Sequence, residues 1–209
     1  HIVLPGLAQR QVLCADFVVG HFEARFVQVQ QCHLQRLVRQ IDAFDTRAEL
    51  DRYATLQMPD GTRKIVGSTD ASRGCKHLCR HCPVVPIYAG QFRVVSPEVV
   101  AADVAALVTA GAEHITFGDP DFFNGPTHAM RIVSALRAAH PSVSYDVTIK
   151  IEHLLQHREL LPRLFETGCA FVTSAVESID DRVLALLDKG HTRADFVEAV
   201  ALCRDAGVA

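Results

Sequence analysis

Three thiols fall within eight residues, Cys75-Lys-His-Leu-Cys79-Arg-His-Cys82, at the spacing C-x3-C-x2-C. Three thiolates hold three corners of a cubane iron–sulfur cluster, whereas the usual four-cysteine set leaves no iron open. A three-cysteine loop therefore points to one iron free for a ligand that is not protein. The alternative is a structural zinc site, completed by His77 or His81. Zinc ligands usually arrive as two separated pairs, and the sequence has no second pair. The remaining cysteines, Cys14, Cys32, Cys169 and Cys203, read as small core hydrophobes.

The elements around that loop predict a parallel sheet. Tyr53–Met58 and Arg63–Gly67 flank Pro59-Asp60-Gly61, a hairpin turn signal, and the second arm continues through Thr69 as a first barrel strand. It delivers the chain into Arg73-Gly74-Cys75; a parallel β/α barrel puts its chemistry at strand C-terminal ends. Strand and helix patterns then alternate. Ser96-Pro97 opens a helix that Gly111 closes; His114–Gly118 is a strand and Thr127–His140 a helix. Val143–Ile151 is a strand, and Leu154–Thr167 a helix that Pro162 divides or kinks. Cys169–Val176 is a strand, Ile179–Lys189 a helix, and Thr192 with Asp195 caps a last helix ending near Gly207. About four βα units follow, with no antiparallel signal after the hairpin.

Ahead of the hairpin, His1–Leu4 and Asp16–Gly20 read as short strands and 21–41 as an amphipathic helix. That is how the last part of an α/β domain looks. The expected organisation is a remnant of such a domain over 1–42, a linker over 43–52 and the barrel over 53–209. His21 and His33 read as helix-surface or core histidines. The first residue is not Met, and the last helix stops where a further strand is due, so a fragment is expected.

The formal charge of −3 and pI near 6.4 give no electrostatic footprint for nucleic acid or anionic membrane. No apolar run reaches membrane-spanning length, and no secretory signal is visible. Seven cysteines, clustered and odd in number, fit a reducing cytoplasm better than a disulfide scaffold.

The C-x3-C-x2-C loop, together with Ser174-Ala-Val-Glu177-Ser178, Arg182-Val-Leu and Lys189-Gly-His-Thr192, resembles the radical S-adenosylmethionine (SAM) superfamily. The likeness runs over roughly residues 65–207. It implies a partial parallel (β/α) barrel, here truncated after about four βα units, and a [4Fe–4S] cluster on Cys75, Cys79 and Cys82. The fourth iron would take the amino and carboxylate groups of SAM. Reductive cleavage would then give a 5′-deoxyadenosyl radical that abstracts hydrogen from a substrate the sequence does not specify. The same likeness implies a reductant such as flavodoxin or ferredoxin as partner. His81 stands where the family has an aromatic residue near adenine. Gly118-Asp119-Pro-Asp121 takes the place of a Gly-Gly-Glu motif that meets the SAM amino group. Lys150, Ser174, Glu177 and Ser178 fall at strand ends that meet SAM in the family, with Glu177 expected on the buried side; the alternative readings are a salt-bridged strand end for Lys150 with Glu152 and a helix cap on a solvated loop for Asp121. Asp16–Gly20 with Phe22-Glu23 resembles the end of a flavodoxin-like domain that in some families holds cobalamin; its D-x-H-x-x-G loop does not occur here, so cobalamin is possible without support. Tyr53, Cys82-Pro-Val-Val-Pro-Ile-Tyr88 and the 119–124 loop also resemble a subfamily named for a CUAEP or CCAEP tail. The competing reading is a zinc- or iron–sulfur-binding α/β module without SAM catalysis.

Overall fold

A computed structural model describes residues 50–58 and 60–208. The expectations placed on 1–49, including the flavodoxin-like remnant, Cys14, Cys32, His21 and His33, lie outside these residues.

Strand β1 (Thr55–Gln57) pairs antiparallel with β2 (Arg63–Thr69), Thr55 opposite Ile65. The turn between them has Gly61 at φ +86° and Asp60 Oδ1 accepting from the Thr62 N–H at 2.9 Å, as the hairpin signal predicts. β3 (Ser72–Gly74), helix α1 (Val85–Tyr88) and β4 (Phe92–Val94) follow, and β3 pairs antiparallel with β4. This corrects the expectation of no antiparallel pairing after the hairpin. Three-residue strands are too short to show alternation, so periodicity does not reveal them.

Helix α2 (Pro97–Thr109) starts on Ser96, whose Oγ accepts from the Val99 N–H, with Pro97 in the first turn. It lays Val100, Val104 and Leu107 on the sheet. Gly67 of β2 allows that approach, since a Cβ there would sit 3.1 Å from the Leu107 methyls. β5 (His114–Phe117), α3 (Pro126–Ala139) and β6 (Ser144–Thr148) continue the alternation. β6 ends at Thr148 rather than Ile151, because the Lys150 N–H turns to Asp121 Oδ1 and the Lys150 carbonyl accepts from Leu154 N. Helix α4 (Ile151–Gln156) thus begins earlier than expected. Pro162 does divide the next helix: a 3-10 turn over Arg158–Leu160 precedes α5 (Leu161–Glu166), with the proline in its first turn. β7 (Cys169–Thr173) is shorter than the expected 169–176. α6 (Asp181–Leu187) is capped by Asp180, which accepts from the Arg182 and Val183 N–H groups. α7 (Arg193–Asp205) has the reciprocal Thr192–Asp195 capping box.

The sheet order is β1-β2-β5-β6-β7; β2, β5, β6 and β7 run parallel, giving a partial (β/α) barrel as expected. Its core gathers Ile115, Phe117, Tyr145, Val147 and Ile149 from the strands with Val133, Leu136, Leu154 and Leu164 from the helices. A polar network ties β5 to β6. His114 reaches Ser144 Oγ through Nδ1 and Asp146 Oδ1 through Nε2, both at 2.8 Å, and the Thr116 hydroxyl donates to the same Asp146 oxygen at 2.6 Å. Every member has a partner, which is the condition for a buried polar group to be tolerated.

Candidate functional site: the three-cysteine loop and the strand ends

Gly74 closes β3 at φ +82°, where a Cβ would lie 2.2 Å from the Gln91 carbonyl oxygen. Only glycine fits this approach, and it fixes where the chain leaves for Cys75. The loop is then tied to its surroundings through the backbone. Lys76 N–H donates to Asn124 Oδ1 at 3.1 Å, while Asn124 Nδ2 donates to the Asp121 carbonyl at 3.0 Å. Arg80 N–H donates to the Leu187 carbonyl at 3.1 Å, and Cys82 N–H turns back to the Cys79 carbonyl at 3.2 Å. Lys76 Nζ lies 5.1 Å over the Phe92 ring. Asn124 is thus a key positioning residue that sequence reasoning missed; nothing in its spacing distinguishes it from an ordinary loop amide.

All three thiols are free, with Cys79 buried and Cys75 and Cys82 half-buried. Burial pushes the Cys79 thiol up; the Lys150 and Lys189 ammonium groups oppose that shift, and the neighbouring Cys75 and Cys82 add to it. Among the described residues, the one set of three donors close enough for a single ion is His77, Asp121 and His153, not the thiols. A cubane spreads its thiolates over separate irons, so the loop suits a cluster better than one zinc.

Opposite this loop stands Glu177. The Ser178 N–H bonds to the Val176 carbonyl at 2.8 Å and Glu177 has φ +67°, the strained form of a γ-turn. Strain of this kind persists only where its surroundings hold it, and it concentrates at functional sites. The carboxylate meets His81 Nε2 at 3.1 Å and Lys189 Nζ at 3.7 Å. Its side chain is 35% exposed, so Glu177 faces the groove rather than the buried side expected for it. Lys189 is nearly buried, and both ring nitrogens of the neighbouring His191 are buried without a partner. Ser178 Oγ accepts from Asp180 N–H at 3.0 Å.

The other expected residues divide. Gly118 is at the surface; a Cβ there would be 2.6 Å from Asp70 Oδ1. Asp119 and Asp121 turn inward, at 2% and 0% exposure. Asp119 accepts from Ala71 N–H at 2.9 Å and from the Ser72 hydroxyl, and burial pushes its carboxyl up to about 6. Asp121 Oδ1 accepts from Phe123 and Lys150 N–H groups. Lys150 Nζ meets Glu152 Oε2 at 3.0 Å, so this pair is together although β6 ends before it. Ser174 is not brought to Glu177's surroundings; it lines an apolar groove with Val172, Val176 and Phe196, its hydroxyl unpartnered.

Residues 70–209 match the family described as the radical SAM superfamily. A tRNA-2-methylthio-N(6)-dimethylallyladenosine synthase of Chlorobaculum tepidum is 26% identical over 195 residues, covering 90% of this chain and 43% of the relative. The Chlorobium chlorochromatii enzyme of the same name is 28% identical over 202 residues. The chain thus spans less than half the length of these curated relatives. Among solved structures, the cobalamin-dependent SAM radical enzyme OxsB superposes with a TM-score of 0.59 at 16% identity, over 74% of this chain and 28% of that one. Methylornithine synthase (PylB) gives 0.55 at 17% identity, over 84% and 48%. These structural likenesses bear on the fold alone.

Proposed function

This chain belongs to the radical SAM superfamily, whose members use a [4Fe–4S] cluster and SAM, and from that premise we propose that Cys75, Cys79 and Cys82 hold the cluster and that the groove between them and Glu177 holds SAM. The observation that carries the reading is the strained Glu177 turn presented to the three-cysteine loop through His81. A cluster held by Cys75, Cys79 and Cys82 would supply the one electron for reductive cleavage of bound SAM to methionine and a radical able to take hydrogen from a substrate.

The protein's own part is ligation, placement and exclusion of water. Cluster binding requires thiolates. Burial opposes that at Cys79, and Lys150 and Lys189 offset it. Glu177 supplies the carboxylate for the SAM ammonium, a charge-assisted contact worth about 1.5–3 kcal/mol. His81 lies on the loop rim, where its ring offers a stacking face for adenine while its Nε2 orients Glu177. The Gly118 backbone, Lys150 and Ser178 complete the cradle, and Lys150 serves the SAM carboxylate. Asp119 and Asp121 act by shaping the loops after β5, since their bonded oxygens point into the protein.

The test is anaerobic reconstitution of the chain with iron and sulfide. The expected content is about four irons per chain, lost in Cys75→Ala, Cys79→Ala and Cys82→Ala but retained in Cys169→Ala and Cys203→Ala. Normal iron in the Cys79 variant would overturn the assignment.

A further inference from the structure

We propose that His77, Asp121 and His153 form a second metal site, for a divalent first-row transition ion of the zinc or ferrous kind, beside the three-cysteine loop. It does not depend on the cluster or SAM assignments. One ligand atom from each residue lies within 4.8 Å of the others. The three come from separate segments: the cysteine loop, the loop after β5 and the start of α4. Two imidazoles and one carboxylate are the donor set of mononuclear non-haem iron and of many three-ligand zinc sites, with positions left open.

The state of Asp121 favours an ion over a hydrogen-bonded relay. Its Oδ1 is used by two backbone N–H groups. Its Oδ2 is fully buried and faces His153 Nδ1 at 2.7 Å and His77 Nε2 at 3.8 Å. Oδ2 and His153 Nδ1 meet at this distance without forming a hydrogen bond, and neither has a hydrogen-bond partner elsewhere. An ion beside these two buried atoms would satisfy both at once. His77 Nδ1 lies 3.7 Å from Glu152 Oε2; a proton on Nδ1 leaves Nε2 as the lone pair facing the site, the orientation that outer carboxylates impose on metal-binding histidines. The competing use of that lone pair is the 3.2 Å contact with His153 Nε2, so ion binding exchanges one neutral hydrogen bond for a metal bond. An ion here would pin the cysteine loop to both strand-end loops.

The probe is cobalt(II), titrated anaerobically into the 209-residue chain carrying Cys75→Ser, Cys79→Ser and Cys82→Ser, with zinc as competitor. Without those thiols no cluster forms, so failure of the cluster reading leaves this result untouched. The expected result is one cobalt per chain with visible d–d absorption, displaced by zinc. His153→Gln and Asp121→Asn should each weaken binding at least about a hundredfold, more than loss of an outer-shell partner costs. His157→Gln, whose ring centre is 6.0 Å from that of His153, should leave it unchanged. Far-UV circular dichroism checks folding, and His77→Gln on the surface loop decides the matter if a buried variant fails to fold. No stoichiometric binding to the triple-serine chain overturns the proposal, as does a folded His77→Gln protein that binds cobalt as tightly as its parent.

Discussion

Glu177 is the residue where stability and function pull apart. A non-glycine residue at φ +67° is strained by about 1–2 kcal/mol, and its side chain is paired with His81 and Lys189 only at the groove. Glu177→Gly should therefore raise the melting temperature by a few degrees while weakening SAM affinity about tenfold to a hundredfold. Calorimetry with SAM and thermal unfolding measure the two separately; a variant that loses stability and keeps SAM affinity would contradict the role given to this turn. The sequence makes Glu177 visible through its neighbours Ser174, Ser178 and Lys189-Gly-His191, but not through its backbone, because left-handed conformation at a glutamate leaves no pattern in residue types. The same limit explains Asp119 and Asp121. Their positions after β5 are legible, yet whether a carboxylate faces a ligand or its own chain depends on N–H groups of Ala71, Phe123 and Lys150, which come from other parts of the sequence.

At the scale of elements, local chemistry decides where the chain can be read. The α7 capping box joins residues three apart, so it is legible, and it holds: Asp195 Oδ2 accepts from Thr192 N–H at 2.7 Å while Thr192 Oγ1 accepts from Asp195 N–H at 3.2 Å. Thr192→Ala should cost about 1 kcal/mol. The hydrogen bond from the Thr192 side chain, then that from its backbone, holds the Asp195 carboxyl below its ordinary value of 3.8. A carboxyl depressed by folding stabilises the folded state above its unfolded pKa, and that share fades as pH falls through the folded value. Asp195→Asn should thus narrow its gap from the parent as pH is lowered below about 4, read by urea unfolding; a gap constant with pH would contradict the assignment. Pairing of β3 with β4 is the opposite case, since it joins residues some twenty apart around the cysteine loop and three-residue strands carry no period. It rests on Gly74: Gly74→Ala forces a Cβ against the rigid Gln91 carbonyl. The expected loss is about 2 kcal/mol or more, together with poorer cluster assembly. Unchanged thermal stability would show that this junction yields.

For the whole molecule, the alternation of strand and helix was enough to foresee a parallel sheet, because each βα unit is local and the crossover rule leaves little choice of topology, while its closure into a partial barrel was implied by the family resemblance. Its polar interior was not foreseeable, since the His114–Asp146 bond spans two strands. No described helix is long and apolar enough to cross a membrane. The barrel brings the cysteine loop, Lys150, Glu177 and Lys189 to the same strand ends. On the proposed reading, this assembly leaves one cluster iron open to SAM. That reading is tested by reducing the anaerobically reconstituted chain with dithionite and recording its electron paramagnetic resonance spectrum without and with SAM. The expected result is a [4Fe–4S]⁺ signal that changes shape and g-values on SAM addition, and less so in the Glu177→Gln variant. A cluster signal identical with and without saturating SAM would contradict it.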